Sequence, residues 1–444
     1  MSEFDAFSRE ELIVSLLDSR SLILDLRSRL AALEADTKPP SKDPPTGGAR
    51  VVPSFVKPNR APRAKKVRKR RSDSFVRHRE APTRVVVHAV DDCPDCGRHL
   101  SGGSVHRSRQ VIDIPAVQYT VTDHRIIGRY CGVCKKRHVA SVDLSGVVLG
   151  RHRIGVRLMS LIGYLSEVCR MPKRTIQTYM KSMHGLHLAV GEITELLHTL
   201  ARKGRMFYEQ LLDAVRASPF VNADETGWRE DGVNGYVWSF SNPVSRVYIR
   251  DKSRGHQVSE AALGEQFEGI LVSDFYGGYN YHLGEHQRCW AHFVRDLKEL
   301  REKHPRDRTV TSWVKRVLGL YYRARDFSSE IRAKRVRARF QFQNRLTALG
   351  EKYISQDVPQ RILAQRCVKY ASELFTFIEH VGVPSENNAA ERAIRPLVIA
   401  RKISGGTRSA KGSETKMVLA SLFGTWKLRG LEPLGECTRI LATE

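Results

Sequence analysis

The spacing of apolar residues predicts an amphipathic helix near the start of the chain, over residues 9–35. Leucine and isoleucine recur there every seven residues, at Leu16, Ile23 and Leu30 in one register and at Leu12, Leu26 and Leu33 in the other, where Ser19 interrupts the repeat. A seam of about three heptads is short for an isolated coiled coil, so two interpretations stay open: a helix packed on its own domain and a dimerisation helix. We favour dimerisation, because residues 37–62 have the proline-, glycine- and lysine-rich composition of a disordered linker.

The next two regions change from a strand-like to a helical period. Residues 84–145 alternate apolar and polar positions in VVVHAV, QVIDIPAVQYTVT and RIIGRYC, which predicts short strands. Residues 153–215 follow a helical period that is interrupted at Gly185. The expected helices lie near residues 161–169, 173–183 and 190–203. They are compatible with a helix-turn-helix, although three helices with a glycine break also occur in many other folds.

From Phe220 onward the chain returns to strands. FVNADE, YVWSFSN and RVYIRD predict three of them, followed by a helix over His256–Gln266, the strand GILVSDF, a short further piece and a strand at QRCWAH. The order β-β-β-α-β-(α)-β is that of an RNase H-like core. Residues 292–380 are long, basic and helical in period, and a final helix is expected from Asn387 to Ile394, ending at Pro396.

The charge of the chain narrows the class of partner. Lysine and arginine total 74 against 48 acidic residues, a net charge of +26. An enzyme of small metabolites does not need so positive an electrostatic field. A protein that binds a polyanion does, because each phosphate that it neutralises releases counterions and so strengthens binding. Nucleic acid is therefore the favoured partner and an anionic membrane surface the alternative. No apolar run approaches the roughly 18 residues that a membrane span needs, and the acidic start MSEFDAFSREEL is no signal peptide. We expect a cytoplasmic, nucleoid-associated protein.

One short segment concentrates positive charge. It runs from Arg60 to Arg71, as RAPRAKKVRKRR. Its cations repel one another in any compact fold, so we expect an extended arm that tracks phosphate without reading sequence; a solubilising tail is the alternative. The proposed DNA-contacting residues of the arm are Arg63, Lys65, Lys66, Arg68, Lys69, Arg70 and Arg71.

Four of the eight cysteines form two pairs with metal-ligand spacing. Cys93 and Cys96 make one CxxC, Cys131 and Cys134 make the other, and 34 residues separate the pairs. Each CxxC turn can supply two thiolates, and Zn²⁺ takes four tetrahedral ligands. We therefore predict a structural Zn²⁺ site, with no open position for catalysis. His99 and His138 are alternatives for one of the thiolates.

Two carboxylates end strands that are expected to be buried. Asp224 ends FVNAD and Asp274 ends ILVSD. A buried carboxylate is costly unless it is paired or binds a metal, and two such strands can cradle Mg²⁺. Each aspartate taken alone is also explained as a strand-end turn residue. Glu225 follows Asp224 directly, so at most one of these two side chains faces the site.

A third acid and a second basic region lie near the C-terminal end. Glu391, in NNAAERAIRP, is the strongest candidate, although an ion pair with Arg395 explains it equally well. Glu386 lies five positions away, about 140° around a helix, and would serve a different site. After Pro396, RKISGGTRSAKG places cations around paired glycines, where backbone N–H groups can approach phosphate. The candidate DNA contacts of this region are Arg392, Arg395, Arg401, Lys402, Arg408 and Lys411.

These residues resemble the insertion-sequence-66 family of bacterial DDE transposases. The resemblance is carried by ADETGW at Asp224, SDFYGGYN at Asp274, CWAHFVRDL from Cys289 and NNAAERAIRPL at Glu391, with RKISGGTRSAKGSE and SLFGTWKLRGLEPL beyond them. It covers about residues 85–444. The chain departs from the family at Phe275, where the family often has glycine, and the acid before it is kept.

The resemblance implies a function and the residues that perform it. Asp224, Asp274 and Glu391 would hold two Mg²⁺ (or Mn²⁺) ions that cut the transposon ends and join them to target DNA. It also implies that residues 292–380 are a helical insertion, and that Cys289 and His292 match a CxxH element whose role is either functional or packing. The expected partners are double-stranded DNA, a second copy in a homodimer or higher homo-oligomer, and accessory transposition proteins. Two alternatives remain: a non-enzymatic zinc-containing DNA-binding regulator and a nuclease without strand transfer.

The expected fold is α/β, with an RNase H-like catalytic core and an all-α insertion, preceded by a small zinc-binding module and a helical DNA-binding region. The predicted boundaries follow from the changes of period and composition. They are 1–36 for the N-terminal helix, 37–83 for the basic linker, 84–150 for the zinc module, 151–216 for the helical region, 217–291 with 384–444 for the core, and 292–383 for the insertion.

Overall fold

The structure is a computed structural model that describes residues 79–114, 117–150, 152–265 and 267–443. The chain divides into two compact units, residues 1–112 and 113–444. The heptad helix predicted at residues 9–35 lies outside the described residues, and so do the basic arm and the linker up to residue 78.

The strand prediction for residues 84–145 is confirmed only in part. In the second unit, β1 (Gly128–Cys131) and β2 (Lys136–Val139) pair as an antiparallel hairpin. VVVHAV forms no strand in the structure, and its Val87 side chain is 81% exposed. Alternation of apolar residues specifies a strand only where a neighbouring strand and a core surface are available to it, and Val87 has no such surface in its own unit.

Three helices follow the hairpin, as the helical period predicts. They are α1 (Val156–Glu167), α2 (Lys173–His184) and α3 (Val190–Arg216). Gly185 ends α2 with a left-handed φ of +69°, and its N–H donates to the Lys181 carbonyl at 3.0 Å. α3 is longer than the sequence suggested, because its apolar face stays buried as far as Val215.

A five-stranded mixed sheet forms the centre of the second unit and confirms the α/β class. Its strands are β3 (Phe220–Glu230), β4 (Val233–Ser241), β5 (Arg246–Asp251), β6 (Ile270–Ser273) and β7 (His286–Arg288). They lie in the order β5-β4-β3-β6-β7. β4 is antiparallel to both of its neighbours, and β3, β6 and β7 run parallel to one another. The helix α4 (His256–Leu263) connects β5 to β6.

A group of helices follows β7 and has a hydrophobic core of its own. It comprises α5 (Trp290–Lys303), α6 (Arg308–Arg325), α7 (Arg332–Glu351), α8 (Arg361–Lys369), α9 (Ala371–Leu374) and α10 (Thr376–Glu379). The core is rich in aromatic side chains, including Trp290, Phe293, Trp313 and Phe375. α6 begins at Asp307, whose carboxylate accepts hydrogen bonds from the N–H groups of Thr309 and Val310. Residues 292–380 are therefore helical, as expected.

The prediction that the last helix ends at Pro396 is wrong. α11 (Asn388–Ser404) continues through the proline, and α12 (Ala410–Leu428) and α13 (Pro433–Ala442) follow it. The missing N–H of proline weakens a helix, but burial of Leu397, directly after the proline, stabilises this one. Gly405 ends α11 with a left-handed φ of +72°. No helix within the described ranges is both long and apolar enough to cross a membrane.

The close crossing of α7 and α8 gives a test of the packing. A Cβ added at Gly350 would lie 2.6 Å from the carbonyl oxygen of Ala364, a backbone atom that cannot rotate away. We expect Gly350→Ala to lower the free energy of unfolding by about 1–3 kcal/mol, measured by urea denaturation. Gly191→Ala in α3 is the matched control, since an added Cβ meets nothing within 4 Å there. Equal unfolding midpoints for the two variants would contradict this packing.

Candidate active site

Two aspartates lie at the same level on neighbouring strands of the sheet. Asn222 of β3 pairs with Val272 of β6 in the parallel register. Asp224 and Asp274 each follow two residues later, and Asp274 is the first residue beyond β6. Because strand side chains alternate between faces with a period of two, continuing this register places both carboxylates on one face, side by side.

A buried asparagine fixes the start of α11 on that face. The Asn222 side chain donates to Asn387 Oδ1 at 2.9 Å, and Asn387 Nδ2 donates to the carbonyl of Ala223 at 2.7 Å. Asn387 is 1% exposed and precedes the first residue of α11. Glu391 lies one helical turn further, and its N–H donates to the Asn387 carbonyl at 3.3 Å. Two amide side chains thus bring a residue from late in the chain next to Asp224.

The electrostatics of Asp224 show that the acids act on one another. The pKa of Asp224 is raised to about 7, mainly by burial and also by the negative charges of Glu225, Asp274 and Glu391, while a hydrogen bond from the Glu225 N–H at 2.9 Å lowers it. The three acids proposed from the sequence are therefore electrostatically coupled. Like charges this close favour either a shared proton or a bound cation.

Glu225 points away from this group, as strand alternation requires. Its side chain is 3% exposed, pairs with Arg254 at 2.6 Å and accepts a hydrogen bond from the Tyr279 hydroxyl at 2.6 Å. Arg254 also lies over the Tyr276 ring, 4.1 Å from its centre. Glu225 is a buried structural acid on the opposite face of the sheet.

Arg288 holds the backbone around Asp274, a role that sequence reasoning did not predict. This arginine is 1% exposed at the end of β7 and donates to the Asp274 carbonyl at 2.9 Å and to Asn280 Oδ1 at 2.7 Å. Glu373, from α9, neutralises it at 2.5 Å. Asp274 Oδ1 in turn accepts the N–H of Tyr276 at 2.9 Å. The only signal in the sequence is a charged residue inside the short apolar-flanked stretch QRCWAH.

The first turn of α5 also contacts the start of α11. The Cys289 sulfur accepts a hydrogen bond from the Asn387 N–H at 3.1 Å, and His292 Nε2 lies 3.7 Å from Glu391 Oε1. Glu386, by contrast, accepts the Tyr321 hydroxyl at 3.0 Å and bonds Asn388, so it belongs to a different set of contacts. The two CxxH residues therefore contact α11 and its preceding residue.

Each CxxC pair forms a tight turn in its own unit. In the first unit, the Gly97 N–H donates to the Cys93 carbonyl at 2.8 Å, and the backbone N–H groups of Asp95 and Cys96 lower the pKa of Cys93. In the second unit, the backbone N–H of Cys134 donates to the Cys131 sulfur at 3.4 Å. This hydrogen bond and that of the Val133 N–H lower the pKa of Cys131. N–H groups directed at sulfur stabilise the thiolate, which is the form that binds metal.

His99 and His138, the alternative ligands, occupy different surroundings. His99 Nδ1 lies 3.2 Å from Asp92 in the first unit, and His138 lies exposed on β2 in the second.

Within the described residues, one group of three potential ligands lies within 4.8 Å of one another, and the sequence did not suggest it. It consists of Glu285, Glu379 and His380. Arg339 Nη1 already contacts Glu285 at 2.5 Å and Glu379 at 2.9 Å. A guanidinium thus occupies the position that a cation would take, and the group connects α7 and α10 to the loop before β7.

The basic residues proposed near the C-terminal end divide into two sets. Arg392, Arg395, Lys402 and Arg408 are exposed. Arg401 donates to the Gly227 carbonyl and to Thr226 Oγ1 at 3.1 Å, and Lys411 pairs with Glu195 at 3.3 Å. The exposed set lies on α11 and the loop after it, while the other two cations also join elements of the fold. The arm from Arg63 to Arg71 lies outside the described residues.

Comparisons with known proteins place most of this unit in one family. A family model described as "Transposase IS66 family" matches residues 151–415. Three proteins of Sinorhizobium fredii (strain NBRC 101917 / NGR234) are similar, each named only as an uncharacterized protein. They are y4jO, 29% identical over 36% of this chain and 49% of its own length, y4jD, 26% over 51% and 50%, and y4qI, 24% over 85% and 74%. The chain thus spans about half the length of the first two relatives.

The raised pKa of Asp224 predicts how stability depends on pH. Its folded pKa of about 7 lies above the ordinary value of 3.8, so its contribution is lost as pH rises through this window. In metal-free buffer, Asp224→Asn should therefore raise the melting temperature relative to wild type at about pH 8 and change it little at about pH 4. Differential scanning calorimetry with EDTA measures this. A difference that stays constant across the two pH values would refute the coupling.

Proposed function

Because the chain belongs to the transposase IS66 family, we propose that it cuts transposon DNA ends and transfers them into target DNA, with Asp224, Asp274 and Glu391 as the catalytic acids. One observation carries this proposal: two aspartates continue one register on adjacent parallel strands, and Asn387 holds the helix of Glu391 on the same face. The reaction is phosphodiester hydrolysis followed by transesterification.

The topology supports an RNase H-like core. If β3 to β7 are numbered 1 to 5, the strands lie in the order 3-2-1-4-5, and strand 2 is antiparallel to its neighbours. We propose that this sheet is the sheet of the RNase H-like core. The helices α5 to α10 form a core of their own between β7 and α11, as an insertion would. We accordingly propose residues 217–291 with 384–444 as the catalytic part and residues 292–383 as the insertion.

The donor set fits a pair of divalent cations. It consists of carboxylates, which Mg²⁺ and Mn²⁺ prefer, and burial together with the neighbouring negative charges raises the pKa of Asp224. The carboxylate oxygens of Asp224, Asp274 and Glu391 do not all lie within 4.8 Å of one another. This spacing suits two ions better than one, because two ions about 3.5–4 Å apart need ligands spread over more than 4.8 Å. When bound, the ions supply Lewis-acid activation of the attacking and leaving oxygens.

The surrounding side chains have positioning and binding roles in this proposal. Arg288 fixes the backbone of Asp274, and Asn387 fixes the start of α11, so that both acids are held before DNA binds. The exposed Arg392 and Arg395 on α11 are close in sequence to Glu391 and would contact phosphates. After the first cut, the freed 3′-hydroxyl can attack target DNA at the same acids, so no covalent protein–DNA link is needed.

We also propose that the four paired cysteines hold one structural Zn²⁺ per chain. The sequence spacing and the N–H groups directed at Cys93 and Cys131 support this. The heptad helix at residues 9–35 is proposed, from its sequence alone, to join copies of the chain.

The catalytic proposal predicts a separation of cutting from binding. Changing Asp224, Asp274 or Glu391 to Ala should reduce nicking and strand transfer at least roughly 100-fold, since even indirect support of metal ligands is worth 10- to 100-fold. Binding to the DNA ends should persist, because affinity comes mainly from lysine and arginine. The assay is nicking and joining of a labelled terminal-repeat duplex in Mg²⁺ or Mn²⁺.

Glu386→Gln is the matched control for this experiment. It lies five residues before Glu391, yet its carboxylate contacts Tyr321 and Asn388, so it should retain substantial activity. Normal cutting by all three alanine variants would refute the proposal. Cutting without joining by the wild-type protein would favour a nuclease.

The zinc proposal predicts one Zn²⁺ per purified chain. Cys131→Ser should lower the bound zinc to well under one equivalent, because a tetrahedral site loses a thiolate. Cys169→Ser is the control, since this cysteine is exposed and belongs to neither pair, and it should leave the zinc content unchanged. Elemental analysis by plasma mass spectrometry provides the measurement. A wild-type chain with far less than one zinc that still binds DNA fully would exclude the site.

A further inference from the structure

Helix α7 carries a concentration of cations that the fold does not use up. Its sequence, RAKRVRARFQFQNRLTALGE, contains six arginine or lysine residues and one acidic residue, Glu351, at its end. A helix needs no such excess for its own stability, because like charges one turn apart destabilise it.

Half of these cations already have partners within the fold. Arg335 donates to the carbonyls of Ser329, Glu330 and Glu379, Arg339 pairs with Glu285 and Glu379, and Arg332 reaches Glu379 at 3.4 Å. Lys334, Arg337 and Arg345 have no ion-pair or hydrogen-bond partner for their side chains anywhere in the described part of the chain. Three cations on one helix are therefore free to bind a polyanion.

An exposed aromatic ring lies on the same side as one of these cations. Phe340 is 58% exposed, three residues after Arg337. Gln341 and Asn344 follow at spacings of four and seven residues from Arg337, so the four side chains share one face of the helix. The face, defined here as Arg337, Phe340, Gln341 and Asn344, holds a cation, a ring and two amides, and no acid.

We propose that this face of α7 binds a DNA segment with unpaired bases, with Phe340 stacked on a base and Arg337 on the neighbouring phosphate. The proposal rests on the proposed function, which makes DNA the substrate. Unpaired cations call for a polyanion, and an exposed ring finds a partner in a base that has left the duplex, because every base offers a π-face. Glutamine and asparagine can bond base edges without selecting one base.

A protein partner fits this face less well. Ala333 and Val336 line the same depression, but three of the four side chains of the face are charged or polar, which is a higher polar share than the centre of a protein interface has.

Helix α7 contacts the sheet near the start of β7, whereas Asp274 follows the other end of the neighbouring strand β6. Arg339, directly before Phe340 in the sequence, contacts Glu285, which precedes the first residue of β7. His286 pairs with Leu271 of β6, so Asp274 lies three residues further along that strand, about 10 Å at 3.3 Å per residue. DNA held by α7 is therefore not the scissile phosphate itself. Loss of the face should weaken binding without slowing cleavage of bound DNA.

The test measures binding of the full chain to a mixed-sequence single-stranded oligonucleotide and to the matching duplex, by fluorescence anisotropy in EDTA. Phe340→Ala and Phe340→Leu should each weaken single-strand binding about 5- to 150-fold, the loss of one stacked base, while Phe340→Trp should bind as wild type. For single-strand binding, Arg337→Ala should reduce the magnitude of the slope of the logarithm of the binding constant against the logarithm of the salt concentration by about 0.7. Arg316→Ala, an exposed cation on α6, is the control and should have the smaller effect.

Each result decides the proposal. Wild-type affinity in Phe340→Ala overturns it, and so does an equal loss for duplex and single strand, which would show that no base is stacked. Unchanged DNA binding with a lower mass in light scattering would show instead that the face joins two copies of the chain. Because binding is measured without divalent ions, the outcome is independent of whether Asp224, Asp274 and Glu391 cut DNA.

Discussion

The buried amide pair between Asn222 and Asn387 is the contact on which the arrangement of the acids depends. Asn387 is 165 residues from Asn222, and its side chain both accepts from that residue and donates to the adjacent backbone carbonyl of Ala223. A buried amide left without partners costs about 1–3 kcal/mol, so the two asparagines fix each other's position closely. The start of α11 is thereby defined relative to β3 by hydrogen bonds with specific geometry, where apolar packing alone would allow it to slide.

The Asn222–Asn387 contact keeps Glu391 close to Asp224 and Asp274, although the negative charges of these acids repel one another. Asp224 is buried and has three other acids near it, and its raised pKa means that ionisation of this carboxyl group without a bound cation opposes folding. The fold balances this locally: Glu225 is neutralised by Arg254, and Arg288 places a positive charge beside the Asp274 backbone with Glu373 as its counter-ion. Clusters of carboxylates whose pKa values are shifted in this way are common at functional sites, although their charges lower the stability of the fold.

The strands of the sheet were predictable from the sequence, and the contacts that assemble the site were not. Apolar strands followed by an acid drew attention to Asp224 and Asp274. Only Asp274 lies at a strand end, because β3 continues past Asp224 to Glu230. Alternation also predicted that at most one of Asp224 and Glu225 faces the site. The parallel neighbour relation of β3 and β6 requires the register, which depends on pairing between distant segments. The positioning roles of Arg288 and Asn387 were not predictable, because the burial of a polar side chain depends on contacts between distant segments. The predicted end of the last helix at Pro396 is wrong because burial of Leu397 outweighs the local helix-breaking tendency of proline. The predicted strand at VVVHAV is absent because alternation does not by itself supply a neighbouring strand to pair with.

The segment that contains α5 to α10 begins and ends at neighbouring points of the fold, and this bears on how its length and sequence can vary. The Trp290 N–H donates to the Ser385 carbonyl at 3.0 Å, and the Asn387 N–H donates to the Cys289 sulfur, so nearly a hundred residues leave and re-enter the sheet through one narrow neck. Closing a loop costs free energy that grows only with the logarithm of its length. A neck of this kind lets the inserted helices be lengthened, shortened or exchanged while the acids on either side keep their spacing. The helices α5 to α10 can therefore vary in length and sequence with little effect on the positions of Asp224, Asp274 and Glu391.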